Sequence, residues 1–165
     1  MSAVAKRAPG ALMLAGLAIG AGVVGWLFLT GQDIAAAEER EVLIAAIWRH
    51  VGYGVVLMPL LLAYVFWRLT ARGFKTGGGK ISAATGWLLS LTIVYLAVTG
   101  PITVWTYGIP LKVFDWFAIP NIIGKMPDLH SIVENSHIFV AKAAPWLFAL
   151  DAAVVFLWPR VSSRV

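Results

Sequence analysis

Three histidines and no cysteine narrow the chemistry open to this chain. Without thiolates there are no disulfides, no thiolate zinc sites, no iron–sulfur clusters and no C-x-x-C-H attachment of a c-type haem, so any metal falls to imidazole or carboxylate. The informative polar residues are those set inside long apolar runs. A charge or an imidazole is costly in hydrocarbon and is kept there for pairing, binding or transport. They are few: Arg49 and His50 in one run, and Glu134, His137, Lys142 and Asp151 in another, with Pro145 among them. His130 lies seven residues before His137, beside Pro127 and Asp128. That setting favours an interfacial loop histidine over a proton relay or a substitute for His137.

The elements that must position these residues are membrane helices. Of 165 residues, 60% are hydrophobic and 13% charged, too little charge to coat a hydrated globule. Four stretches, at approximately 11–30, 43–67, 83–106 and 132–158, are each long enough to cross a hydrocarbon core of about 30 Å. Runs such as LLLAYVFW do not alternate as barrel strands do, and backbone amides in hydrocarbon must be satisfied within their own segment. The fold class is therefore all-α, an integral membrane four-helix bundle, with 1–165 as a single transmembrane domain. Lys6 and Arg7 precede the first run as in a signal peptide, but the run is longer than a signal core and lacks a convincing cleavage site, so it reads as a retained helix. The segment 109–127 mixes Phe114, Trp116 and Phe117 with Pro110, Pro120, Pro127 and the charges Lys112, Asp115 and Lys125, the composition of an interfacial stretch. GFKTGGGK has neither a strand before it nor the Lys-Ser/Thr ending of a phosphate loop, and reads as a turn.

Short cytoplasmic loops collect Lys and Arg. Lys6 and Arg7, then Arg68, Arg72, Lys75 and Lys80, then Arg160 and Arg164 mark the inner side, whereas Asp33, Glu38, Glu39, Glu41, Asp115 and Asp128 mark the outer. Both termini are thus expected to be cytoplasmic in a multi-pass protein. The net charge of +5 calls for no nucleic-acid partner; the partner implied is the lipid bilayer.

In this topology the second and fourth helices run in the same direction, so His50 and His137 enter the bilayer at similar depth and can meet across the bundle. Two imidazoles on opposite sides of a flat macrocycle form an axial pair for haem iron. Gly54, four residues past His50, and Ala141 and Ala144, four and seven past His137, leave room for a porphyrin, and Leu57, Leu61 and Phe148 continue those faces. Arg49, with Lys112 or Lys125, is placed to neutralise propionates, although a lysine there also serves as an ordinary interfacial anchor. The competing reading has both histidines bonding neighbouring helices and the small residues serving helix packing. Spacing alone leaves both open.

The segment W-R-H-V-G-Y-G at Trp48–Gly54 resembles the second-helix haem motif of bacterial cytochrome b561 proteins. Leu96–Asn121, LAVTGPITVWTYGIPLKVFDWFAIPN, followed by the His137 helix, resembles that family's third helix and outer loop, and Arg68 stands where a basic residue closes the second helix. The resemblance covers the chain from about residue 45 onward. It implies a bacterial inner membrane location, b-type haem that passes electrons, often to or from quinone, and in one branch a superoxide oxidase-like activity. Family members usually hold two haems, each between two histidines. His50 and His137 match the outer pair, with Arg49 and Gly54 beside them. The second pair is missing: the first helix has no histidine, and Asp151, fourteen residues after His137 and on nearly the same face, occupies the position of the deeper ligand. The chain is thus similar to a one-haem variant. Met13 with Asp151 is not a usual axial set; Asp151 reads as a buried carboxylate that is neutral, paired with another helix, or part of a proton path. The expected function is electron transfer between an outer-side donor or acceptor and quinone through one bis-histidine haem b, the alternative being a structural or accessory subunit with no redox role.

Overall fold

The computed structural model describes residues 11–69 and 79–161. Lys6, Arg7, Arg72, Lys75, Arg164 and most of the glycine-rich turn lie outside the described residues. Four helices dominate: α1 Ala11–Ala35, α2 Arg40–Leu69, α3 Gly79–Tyr107 and α4 Pro127–Val161. All four are long and apolar enough to cross a membrane, and the chain is an all-α four-helix bundle of the multi-pass membrane class. Each helix packs on its neighbour in sequence, and α4 closes the ring onto α1. Among the described residues no Cα of α2 comes within 8 Å of one in α4, so these two helices stand diagonally across the bundle.

The core between the helices contains Leu17, Leu61, Tyr64, Leu89, Ile93 and Phe148. Phe148 lies against Gly20 so closely that a Cβ there would fall 2.4 Å from its Cζ, which lets α1 and α4 touch. Most other side chains face outward, where lipid replaces water as their solvent. On α4 the outward stripe is Ile132, Phe139 and Trp146, each more than two-thirds exposed.

The pairing of α3 with α4 has a simple register. Thr85 bonds Asp151, Thr99 bonds His137 and Thr106 meets His130, so each seven- or fourteen-residue step forward along α3 is matched by the same step back along α4. Two antiparallel helices kept in step by a seven-residue repeat present one face to each other over their whole length.

Helix α3 stops at Gly108, whose φ of +104° suits only a residue without a Cβ, and Ile109 N–H returns to the Val104 carbonyl at 3.4 Å. Pro110 then prevents continuation. The chain next forms a small antiparallel hairpin, β1 Leu111–Val113 and β2 Phe117–Ile119, pairing Leu111 with Ile119 and Val113 with Phe117. Leu111 and Val113 are buried, and Phe114, held at φ +51° in the turn, lays its ring on Gly52. The hairpin was not visible in the interfacial reading of 109–127, because strands of three residues are too short to show alternation.

Helix α4 begins at Pro127, earlier than the apolar pattern indicates, since proline's fixed φ and missing N–H suit the first helical position. His130 therefore lies in the first turn of α4, and the loop-histidine reading is corrected.

Candidate cofactor site

His50 extends from α2 toward α1, where its Nδ1 meets the Thr30 hydroxyl at 2.9 Å. Thr30 donates its one proton to the Leu27 carbonyl at 3.1 Å, as helical threonines do, and so accepts from the imidazole N–H. The next residue, Gly31, brings backbone to the ring: a Cβ there would sit 3.7 Å from His50 Cε1. His137, on α4, repeats this arrangement against α3. Its Nδ1 lies 2.8 Å from the Thr99 hydroxyl, Thr99 donates to the Tyr95 carbonyl at 2.8 Å, and a Cβ on Gly100 would sit 3.5 Å from His137 Cε1.

A proton fixed on Nδ1 places the lone pair on Nε2. Neither Nε2 has a hydrogen-bond partner among the described residues. The two rings come from the diagonal helices, His50 bonded to α1 and His137 to α3. Metal-bound imidazoles are commonly held in this way, with the non-ligating N–H donated to an oxygen that fixes tautomer and ring orientation.

His130 is different. Its Nδ1 reaches the Thr103 carbonyl at 3.1 Å, its Nε2 lies 3.4 Å from the Glu134 carboxylate, and its ring lies 5.3 Å from that of Tyr107. Both nitrogens are engaged, which leaves no lone pair free for a metal.

The other residues read from the sequence fall at different places. Gly54 faces open space, since a Cβ there would meet nothing within 4 Å. Ala144 is buried beside the α3 register. Arg49 is half-exposed and holds Asp33 at 2.9 Å. Lys112 bonds Asp115 at 3.0 Å and lies 5.0 Å from the Trp48 ring centroid, while the Lys125 stem covers Gly108. Arg49 and Lys112 thus each hold an acid at the surface. Two buried donors, the indole N–H groups of Trp48 and Trp105, have no hydrogen-bond partner.

Asp151 is fully buried, accepting from Thr85 Oγ1 at 2.7 Å and Tyr64 Oη at 3.4 Å. Tyr64 in turn packs against Phe148 at 5.5 Å between ring centroids.

Beside His50 a pocket of about 420 Å³ opens between α1 and α2. Trp26 and Tyr53 form aromatic walls, Gln32, Asp33 and Arg49 supply polar groups, and Thr30 joins the pocket to the histidine clamp.

No family model, curated protein or solved structure matches the chain. Among the described residues no three His, Asp or Glu side chains gather as they would around a bare metal ion. A macrocycle that brings four ligands of its own asks the protein for only two. The residues present fit that demand: two imidazoles on diagonal helices, each with its Nε2 free, open space at Gly54, and the orphaned indole donors of Trp48 and Trp105. Thr30, Thr99 and their glycines escaped the sequence reading, although the repeated Thr-Gly dipeptide was a signal for them.

Proposed function

We propose that this chain is a one-haem electron-transfer protein of the cytochrome b561 type, with His50 and His137 as the two axial ligands. The observation that carries the reading is the repeated Thr-Gly clamp, which holds each ring by Nδ1 and leaves each Nε2 for a metal. Bound haem b supplies one-electron redox chemistry. The protein sets the tautomer of both ligands, leaves space at Gly54, and offers the Trp48 and Trp105 N–H groups to the haem carboxylates. The lack of a histidine in the first helix, and a carboxylate, Asp151, where the deeper ligand would stand, favour one haem over two.

A single cofactor in the outer half leaves the inner half without a relay, so exchange takes place on one side. The α1–α2 pocket suits a quinone head group, with Trp26 and Tyr53 to stack on the ring and Gln32 or Arg49 to donate to its carbonyls. An outer-side one-electron partner, superoxide among them, completes the exchange. The resemblance implies the bacterial inner membrane for such a protein, and the distribution of Lys and Arg implies that both termini are cytoplasmic.

Anaerobic mixing with a short-chain quinol tests this reading. The haem band should appear reduced, and Tyr53→Ala with Trp26→Ala should slow reduction about tenfold or more, the effect of losing roughly 1.4 kcal/mol of binding, without altering the spectrum. A haem that quinol cannot reduce would remove quinone from the mechanism. A protein that takes up no haem would be an accessory subunit.

A further inference from the structure

Lys142 stands apart from the other charges. It is exposed on the outside of α4 and has no hydrogen bond or ion pair among the described residues. The membrane segment of α4 runs Pro127–Phe156, so about 22 Å of helix lies on one side of Lys142 and about 21 Å on the other, at 1.5 Å per residue. The register with α3 agrees: it sets Ala144 beside Thr92, near the middle of the Lys80–Tyr107 span. Lys142 is therefore close to the bilayer midplane. The distance to either edge of a hydrocarbon core about 30 Å thick is roughly 15 Å, well beyond the reach of a lysine stem.

A lysine at this depth is among the costliest residues a span can carry, and it normally faces a bundle interior or a partner. The bundle interior is not its partner, because the side chain points outward. Asn135, Lys142 and Ala149, spaced by seven, form an exposed stripe distinct from the bulky Ile132, Phe139 and Trp146 stripe. Ala149 also lines a groove of about 180 Å³ between α1 and α4, floored by small residues including Ala21, Gly25 and Ala152. Small residues let another helix approach closely.

The charge selects the occupant. The acids Asp33, Glu38, Glu39, Glu41, Asp115 and Asp128 all lie at the outer end, Glu134 is paired with His130 eight residues, about 12 Å, from Lys142 along α4, and Asp151 is buried. A second copy has no carboxylate to offer at the midplane. We infer that the α1–α4 groove docks a transmembrane helix of a different polypeptide, whose Asp or Glu pairs with Lys142 at the bilayer centre. This does not depend on the haem reading.

The test is photo-cross-linking in native membranes from a photoreactive residue at position 149, with one at position 91 on the lipid face of α3 as control. A polypeptide adduct whose cross-linked helix carries a carboxylate is expected from 149 only, lost in Lys142→Leu and kept in Lys142→Arg. Native electrophoresis should show the same loss and rescue of a larger particle. Adducts to lipid alone or to a second copy, or an adduct indifferent to Lys142→Leu, would overturn the inference.

Discussion

The threonine hydroxyls beside His50 and His137 act only through the rings they orient. Thr30→Val and Thr99→Val keep the side-chain shape and remove the acceptor, so each freed imidazole loses its fixed tautomer. Haem affinity is expected to fall about 10- to 100-fold, the usual effect of losing such a partner, while Thr→Ser at either site keeps it. Titration of apoprotein with haem in detergent reads this directly. Equal affinity for all variants would mean that the clamp is only packing. The histidines themselves were legible because an imidazole in an apolar run is unusual. Their threonines were not, since threonine is ordinary in membrane helices and its partner lies on another helix.

Helices α3 and α4 form the most regular element pair, joined by Thr85 with Asp151, Thr99 with His137 and Thr106 with His130. The register assigns Thr92 to Ala144, both buried. Because the chain has no native cysteine, Thr92→Cys with Ala144→Cys is expected to form an intramolecular disulfide on mild oxidation, seen as a gel shift reversed by reductant. The pair Thr92→Cys with Leu147→Cys, three residues off register, should not close. At this scale the sequence showed four helices through length and hydropathy alone. It did not show the hairpin, nor the early start of α4 that brings His130 into a helix. Short strands and helix ends depend on local caps such as Gly108 and Pro127 more than on periodicity.

For the whole molecule, the apolar spans and the unequal distribution of basic residues were the strongest sequence signals, and the first of them is visible in the fold. Orientation is a matter for labelling. A single cysteine at Ala36, in the turn between α1 and α2, is expected to react with an impermeant maleimide in intact spheroplasts, whereas one at Lys80, at the inner end of α3, should react only after lysis. The opposite pattern would invert the molecule and place His50 and His137 toward the cytoplasm. The ring order of the helices was not legible, because nothing in the apolar runs states which helices are diagonal. That diagonal arrangement keeps the backbones of α2 and α4 apart.

The central claim, one haem held between His50 and His137, is tested most directly by a reduced-minus-oxidised spectrum with haem-to-protein stoichiometry on the wild type, His50→Ala and His137→Ala. The expected result is a low-spin bis-imidazole b-type spectrum at one haem per chain, lost in both variants while His130→Ala retains it. No haem in the wild type, a spectrum that survives either substitution, or two haems per chain would contradict the account.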